Sequence, residues 1–399
     1  MGWSRRERGA RSGACVAVLA LLWAAGCAPV SPGAAGHASG CGSAPRTTAV
    51  SPLPFNLIDV SAVPGTRQAW ALGGRYSVSF AAGNYLLHFS GRHWTKVATF
   101  RRGVHLKGVS AVSGSAAWVW GDEGHGDYWP SFRQYLALVS GGVVRPVRAA
   151  LLSGVYVSAM AGDGAADTWL GGAASDRHNR FLGPVAAWWN GTAWHRIPVP
   201  PGARAIQSLS TSGPSDIWAV ASKGFLVGQW LAHWDGAAWS RAYRPPRSLA
   251  RDGRVPQDMS AASSPGRAWV AYTEAGTNSG SNATNPPPRT ISVYFDGSTW
   301  RLVPVPAIAD SGLAEVTMSG ADAWAITAYK NINGILYSHL GGDWCVQRLP
   351  HVRHLACFPK GISAASPTYV VAVTSQSSGA CRQSLAYVYD GHRWRSAMP

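Results

Sequence analysis

An all-β fold, a seven-bladed β-propeller with four antiparallel strands per blade, is what three features of the 399-residue sequence predict. A unit of about 50 residues recurs seven times, each copy holds four short apolar runs separated by turn residues, and no stretch beyond residue 40 carries a helical period. Solenoids built from long helical repeats are excluded.

The unit is plainest at residues 209–245. Its runs at 209–212, 217–220, 230–234 and 239–243 are rich in aromatic and β-branched residues, which suits strands. A Gly-Pro-Ser-Asp turn parts the first two runs, and Asp235-Gly236 closes the last two into a tight hairpin, because Gly adopts positive φ without steric cost. The tryptophan of the second run returns as Trp70, Trp118, Trp169, Trp218, Trp269 and Trp324, with Val371 in the seventh copy. The hairpin returns as Ser90-Gly91, Ser140-Gly141, Asn190-Gly191, Asp235-Gly236, Asp296-Gly297, Gly341-Gly342 and Asp390-Gly391. Trp94, Trp194, Trp239, Trp300, Trp344 and Trp394 follow it, and Val144 stands there in the second copy.

The succession Val-Ser-Ala, Asp-x-Trp-Ala-Val and Trp/Phe-Asp-Gly-x-x-Trp resembles the repeats of tryptophan-rich bacterial β-propeller lipoproteins. Its hairpin is similar to the Asp-box of sialidase-type propellers, and the whole loosely resembles kelch repeats. The resemblance covers residues 55–399 and implies the fold and a stabilised turn; it implies no activity, since function resides in sites rather than folds.

Residues 1–26 combine Arg5, Arg6, Arg8 and Arg11 with an apolar run at 14–25, too short to span a bilayer and flanked like a secretory signal. Ala24-Ala25-Gly26-Cys27 resembles a lipobox, which implies lipidation at Cys27. The expected location is therefore the extracytoplasmic face of the cell membrane, lipid-anchored, or the medium if cleavage falls near Ala28. Residues 27–54, dominated by Pro, Gly, Ala and Ser, read as a tether, and 55–399 as the propeller.

Net charge is +16 and stays strongly positive without residues 1–26. Basic surfaces attract polyanions, and an exported chain does not meet nucleic acid, so the expected partner is an anionic envelope polymer, a glycan or a protein, bound by a monomer. Arg far outnumbers Lys, which a GC-rich genome alone also produces. Cysteines suit an oxidising compartment: Cys357 and Cys381 are read as a disulfide, with Cys41 and Cys345 left as a second pair. No Cys-x-x-Cys spacing supports zinc.

Loops between second and third strands are long, and long loops on a rigid scaffold collect binding residues. That rim offers Arg75, Tyr76, Tyr128, Trp129, Arg177 and Arg180. Asp122, Glu123, His125 and Asp127 form a further polar cluster, separated by Gly124 and Gly126. Asp167, Asp216 and Asp322 recur two residues before the second-strand Trp, so they read as structural, and His88 and His233 as packing residues of the third strand. Just before the first-strand Val-Ser-Ala stand Asp59, Tyr156, Ser208, Asp258 and Glu315, expected to ring the tunnel mouth. Carboxylates gathered there repel unless a cation, an Arg or shared protons compensate, so one reading is a divalent-cation or basic-ligand site and the other is solvated, Arg-paired acids. No other cofactor and no catalytic set is indicated: Gly-x-Ser-x-Gly, His-Glu-x-x-His and phosphate loops are all lacking, and no motif fixes a sialidase arginine trio. A binding or scaffold module is the first expectation, and a glycan-cleaving propeller enzyme the alternative.

Overall fold

Each repeat folds into a four-stranded antiparallel meander, and seven such sheets account for the 28 strands among the described residues. The computed structural model describes residues 56–74, 84–124, 133–148, 150–164, 166–176, 181–224, 228–245, 254–276, 289–306, 313–327, 334–349, 358–375 and 384–397. Among these the one helical piece is a single 3-10 turn at Ala150–Leu152, and no helix is long and apolar enough to cross a membrane. Residues 1–55, including the expected signal, the tether and Cys27, lie outside the described residues, as do Cys357 and Cys381.

The first strands, Asn56–Ala62, Val104–Ser113, Val155–Gly164, Ala205–Thr211, Arg254–Ser264, Leu313–Ser319 and Phe358–Ser366, pack each against the next and close a ring around the axis. Second strands are buried through their middles, and Ala69–Gly74 and Ile217–Ser222 along their whole length, because a neighbouring blade covers each face. Outer strands are mostly exposed beyond their tryptophan: in Trp94–Thr99 the indole is buried and the next two residues are exposed.

Tryptophan fills the wedge between blades. The second-strand indole of one blade meets the fourth-strand indole of the next, at 5.4 Å for Trp118–Trp194, 6.0 Å for Trp218–Trp300 and 4.5 Å for Trp269–Trp344. The fourth-strand indole also donates back to the preceding blade: Trp239 Nε1 to the Pro198 carbonyl at 2.7 Å, Trp344 Nε1 to Ser292 Oγ at 3.0 Å and Trp394 Nε1 to Gln347 Oε1 at 2.7 Å.

Among the described residues closure involves no strand exchange, since the strands of blade 1 come from residues 56–99 and those of blade 7 from 358–396. Side-chain packing and one backbone bond join them instead: Leu57, Val60, Leu87, Phe89 and Trp94 pack with Tyr369, Val371, Val373 and Ala397, and Gly65 N donates to the Ala365 carbonyl at 3.0 Å. Trp94 Nε1 donates to the Ala397 carbonyl at 2.9 Å.

Candidate functional site

Every first strand is irregular at one level. Pairing slips between Leu57 and Asp59, Leu106 and Gly108, Ile206 and Ser208, Gln257 and Ser260, Leu313 and Glu315, and Pro359 and Gly361, and blade 3 slips between Val157 and Ala159. The residue after each slip pairs with the one two past the second-strand Trp, as Asp59 with Leu72 and Glu315 with Ile326. Around the axis this level reads Asp59, Gly108, Ala159, Ser208, Ser260, Glu315 and Gly361. Tyr156 and Asp258 fall outside it: each precedes the end of its own bulge, and Ala159 and Ser260 hold the equivalent places. Tyr156 instead meets Lys107, whose Nζ lies 3.2 Å from the phenol oxygen and 4.4 Å from the ring centre. The Asp258 side chain lies outside the description.

A first strand has one edge without a sheet partner, and its N–H groups need acceptors. The preceding blade supplies them. At this level Val109 N donates to Asp59 Oδ2 at 2.8 Å, Val316 N to Ser260 Oγ at 3.2 Å and Ile362 N to Glu315 Oε2 at 3.1 Å. Two residues further on, Ala111 N donates to Ser61 Oγ at 2.9 Å, Ser263 N to Ser210 Oγ at 2.8 Å, Ala364 N to Thr317 Oγ1 at 3.1 Å and Ala62 N to Ser363 Oγ at 3.0 Å. The serine of Val-Ser-Ala is thus an inter-blade cap. Asp59 and Glu315 perform the same task with a carboxyl group.

All seven first strands line an axial cavity of about 340 Å³, with Asp59, Glu315 and Ser208 on its wall. Burial drives the Asp59 pKa up to about 7 against the bonds from Val109 and Val60, and burial followed by the nearby Asp59 raises Glu315 well above its usual range. Two acids so placed take up protons more readily than exposed carboxyl groups while accepting hydrogen bonds. A hard divalent cation takes roughly six to eight oxygens, and two carboxylates supply a minority of them. Among the described residues no group of three or more His, Cys, Asp or Glu is placed to share a metal ion.

Of the polar cluster after Trp120, Asp122 pairs with Lys107 and Glu123 with Arg101. His125 and Asp127 lie outside the described residues, as do Arg75, Tyr76, Tyr128, Trp129, Arg177 and Arg180. On the opposite rim, Asp216 accepts from Trp218 Nε1 at 2.7 Å, from His233 at 2.8 Å and from Ser212. Asp167 accepts from Trp169 and Trp188 at 3.0 and 2.6 Å, and Asp322 from Tyr337 and His339, both at 2.7 Å. These aspartates fasten the second strand to the third. His233 is more than filler: it stacks on Trp218 at 4.3 Å and hydrogen-bonds Asp216.

Ring, tunnel and meander together define a seven-bladed β-propeller. No family model matches the chain, and no curated protein matches it. Among solved structures it is similar to the GH74 xyloglucanase from Xanthomonas campestris, at 14% identity and a TM-score of 0.54, over 88% of this chain and 55% of that one. It is also similar to the β-propeller domain of the Trilobed protease from Pyrococcus furiosus, described as having an open velcro topology, at 7% identity and a TM-score of 0.54, over 88% and 97%. A structure from a study of two prolyl endopeptidases matches at 13% identity and a TM-score of 0.54, over 86% of this chain and 49% of that one. The chain spans about half the length of the xyloglucanase and endopeptidase chains. At these identities the likeness concerns the fold.

Proposed function

We propose that the chain is an exported, lipid-anchored binding module that presents a rigid propeller to an anionic envelope polymer, a glycan or a protein. The observation that supports this reading best is the use of the two tunnel acids. Each accepts an N–H of the following blade, as Ser260 does between them in the ring, so both serve the scaffold. A net charge of +16 for the full sequence, still strongly positive without residues 1–26, supports attraction to polyanions. Binding through the long-loop rim and anchoring at Cys27 belong to the same reading, and mass spectrometry of the mature N-terminus tests the anchor.

One observation favours a second reading, a glycan-cleaving enzyme. Asp59 and Glu315 are neighbouring acids with raised pKa values in one cavity, and glycosidases use a pair of carboxyl groups as acid and base. The full chain incubated with acidic and neutral polysaccharides separates the two readings. Retention on the acidic polymer without new reducing ends supports the module; reducing ends that vanish in Glu315→Gln establish the enzyme.

A further inference from the structure

The seam between blades 7 and 1 departs from the other six. In blades 1 to 6 the second-strand Trp pairs across the sheet with His88, Leu138, Trp188, His233, Tyr294 or Tyr337, whereas in blade 7 the pair is Val371 and Val388. Two large side chains are missing where blade 7 faces blade 1. A cleft of about 470 Å³ opens there, with Phe89, Tyr369 and Val388 as its apolar lining and Arg67, Arg92, His392 and Arg395 as its basic one.

Hydrogen-bonding sense is inverted at the same place. In blades 3, 4 and 6 the residue two before the second-strand Trp is an aspartate that accepts from the third strand. Its counterpart in blade 7 is Tyr369, 3% exposed, whose hydroxyl is buried and has no hydrogen-bond partner among the described residues. Ser396 Oγ, also in the cleft lining, is likewise buried without a partner. Leaving a buried hydroxyl unpaired is unfavourable, so two in one cleft call for an acceptor from outside. The cleft's carboxylate, Asp390, is already taken by Arg395 Nε at 2.5 Å and by the backbone N–H groups of His392 and Arg393 at 3.1 and 3.0 Å. Donors exceed acceptors.

We propose that this cleft binds a carboxylate-bearing ring of monosaccharide size. The ring lies against Phe89 and Tyr369, the hydroxyls of Tyr369 and Ser396 donate to its oxygens, and Arg67 and Arg92 hold the carboxylate, a group that guanidinium matches with two parallel bonds. The site sits on the short-turn rim, so it stands or falls apart from the tunnel and the long-loop rim.

Calorimetric titration of the full chain with glucuronate, glucose and inorganic sulfate tests it. Glucuronate should bind and glucose should not, with sulfate competing because it offers the same oxyanion chemistry. Arg67→Gln should weaken glucuronate roughly tenfold and Tyr369→Phe at least about threefold, as losses of a charged and a neutral hydrogen bond. Without ligand, Tyr369→Phe should melt at the same or a higher temperature, since a partnerless buried hydroxyl is gone; Ser396→Ala gives the same readout if that variant does not fold. Arg241→Gln, in blade 4, should leave affinity unchanged. Equal binding of glucose, no binding of glucuronate, or an equal loss in Arg241→Gln and Arg67→Gln overturns the proposal. A lower ligand-free melting temperature for both Tyr369→Phe and Ser396→Ala also overturns it, because it shows those hydroxyls already paired.

Discussion

Asp216 shows what one carboxylate contributes to a blade. Burial opposes its charge, but bonds from His233, Ser212 and Trp218 prevail and hold its pKa below the usual range. Its contribution is therefore present above pH about 4 and lost as pH falls through the lowered folded-state value. Asp216→Asn should cost about 1–3 kcal/mol in urea unfolding at pH 7, with the gap closing in acid. Asp59 carries the opposite sign. With its pKa raised to about 7, the folded state keeps a proton that the unfolded chain releases near pH 4, so stability falls as pH rises through that window. Asp59→Asn should flatten the fall, and a wild-type curve already flat between pH 4 and 7 would refute the burial of this acid. The tryptophans were legible in the sequence because each sits at a fixed distance from a turn. The level of Tyr156 and Asp258 was not, because bulges add residues to a strand without changing its composition.

The hairpins are the elements where sequence and geometry agree most closely. Asp235 Oδ1 accepts the N–H groups of Ala237 and Ala238 at 2.9 and 2.8 Å, and Asn190, Asp296 and Asp390 repeat the arrangement. Gly236 completes the turn at φ +96°, and a Cβ there would meet Ser215 Cβ at 2.9 Å. Gly142, at φ +79°, has nothing within 4 Å. Both Ala substitutions carry the left-handed penalty of about 1 kcal/mol, so Gly236→Ala should lower the melting temperature more than Gly142→Ala. Equal losses would mean that the turn does not lean on the Gly213–Asp216 corner. What the turn residues could not reveal is the inter-blade capping, because a serine facing its own strand and one facing the next blade look alike in sequence.

One boundary of the ring differs from the other six in its packing, since Val371 and Val388 stand where the other blades carry the second-strand tryptophan and its cross-strand neighbour. Blades 7 and 1 are joined through Trp94, Phe89 and Tyr369 rather than through a shared sheet. Trp94→Ala should cost about 3–5 kcal/mol and speed hydrogen exchange in the first strands of blades 1 and 7, while leaving those of blade 4 unchanged. Uniform acceleration would instead mean that the ring opens only as a whole. Blade number and strand order were readable from the repeat; the smaller side chains at the closing boundary were foreshadowed only by Val371, where the wedge tryptophan lapses.

Binding by a basic propeller without cleavage is most directly examined by titrating the full chain into an acidic polysaccharide at rising ionic strength, with reducing ends assayed in the same samples. Because a charge of +16 draws the polymer through screened Coulomb attraction, affinity should fall steadily with added salt while reducing ends stay constant. Affinity indifferent to salt, or reducing ends that accumulate with time and disappear in Glu315→Gln, would contradict it.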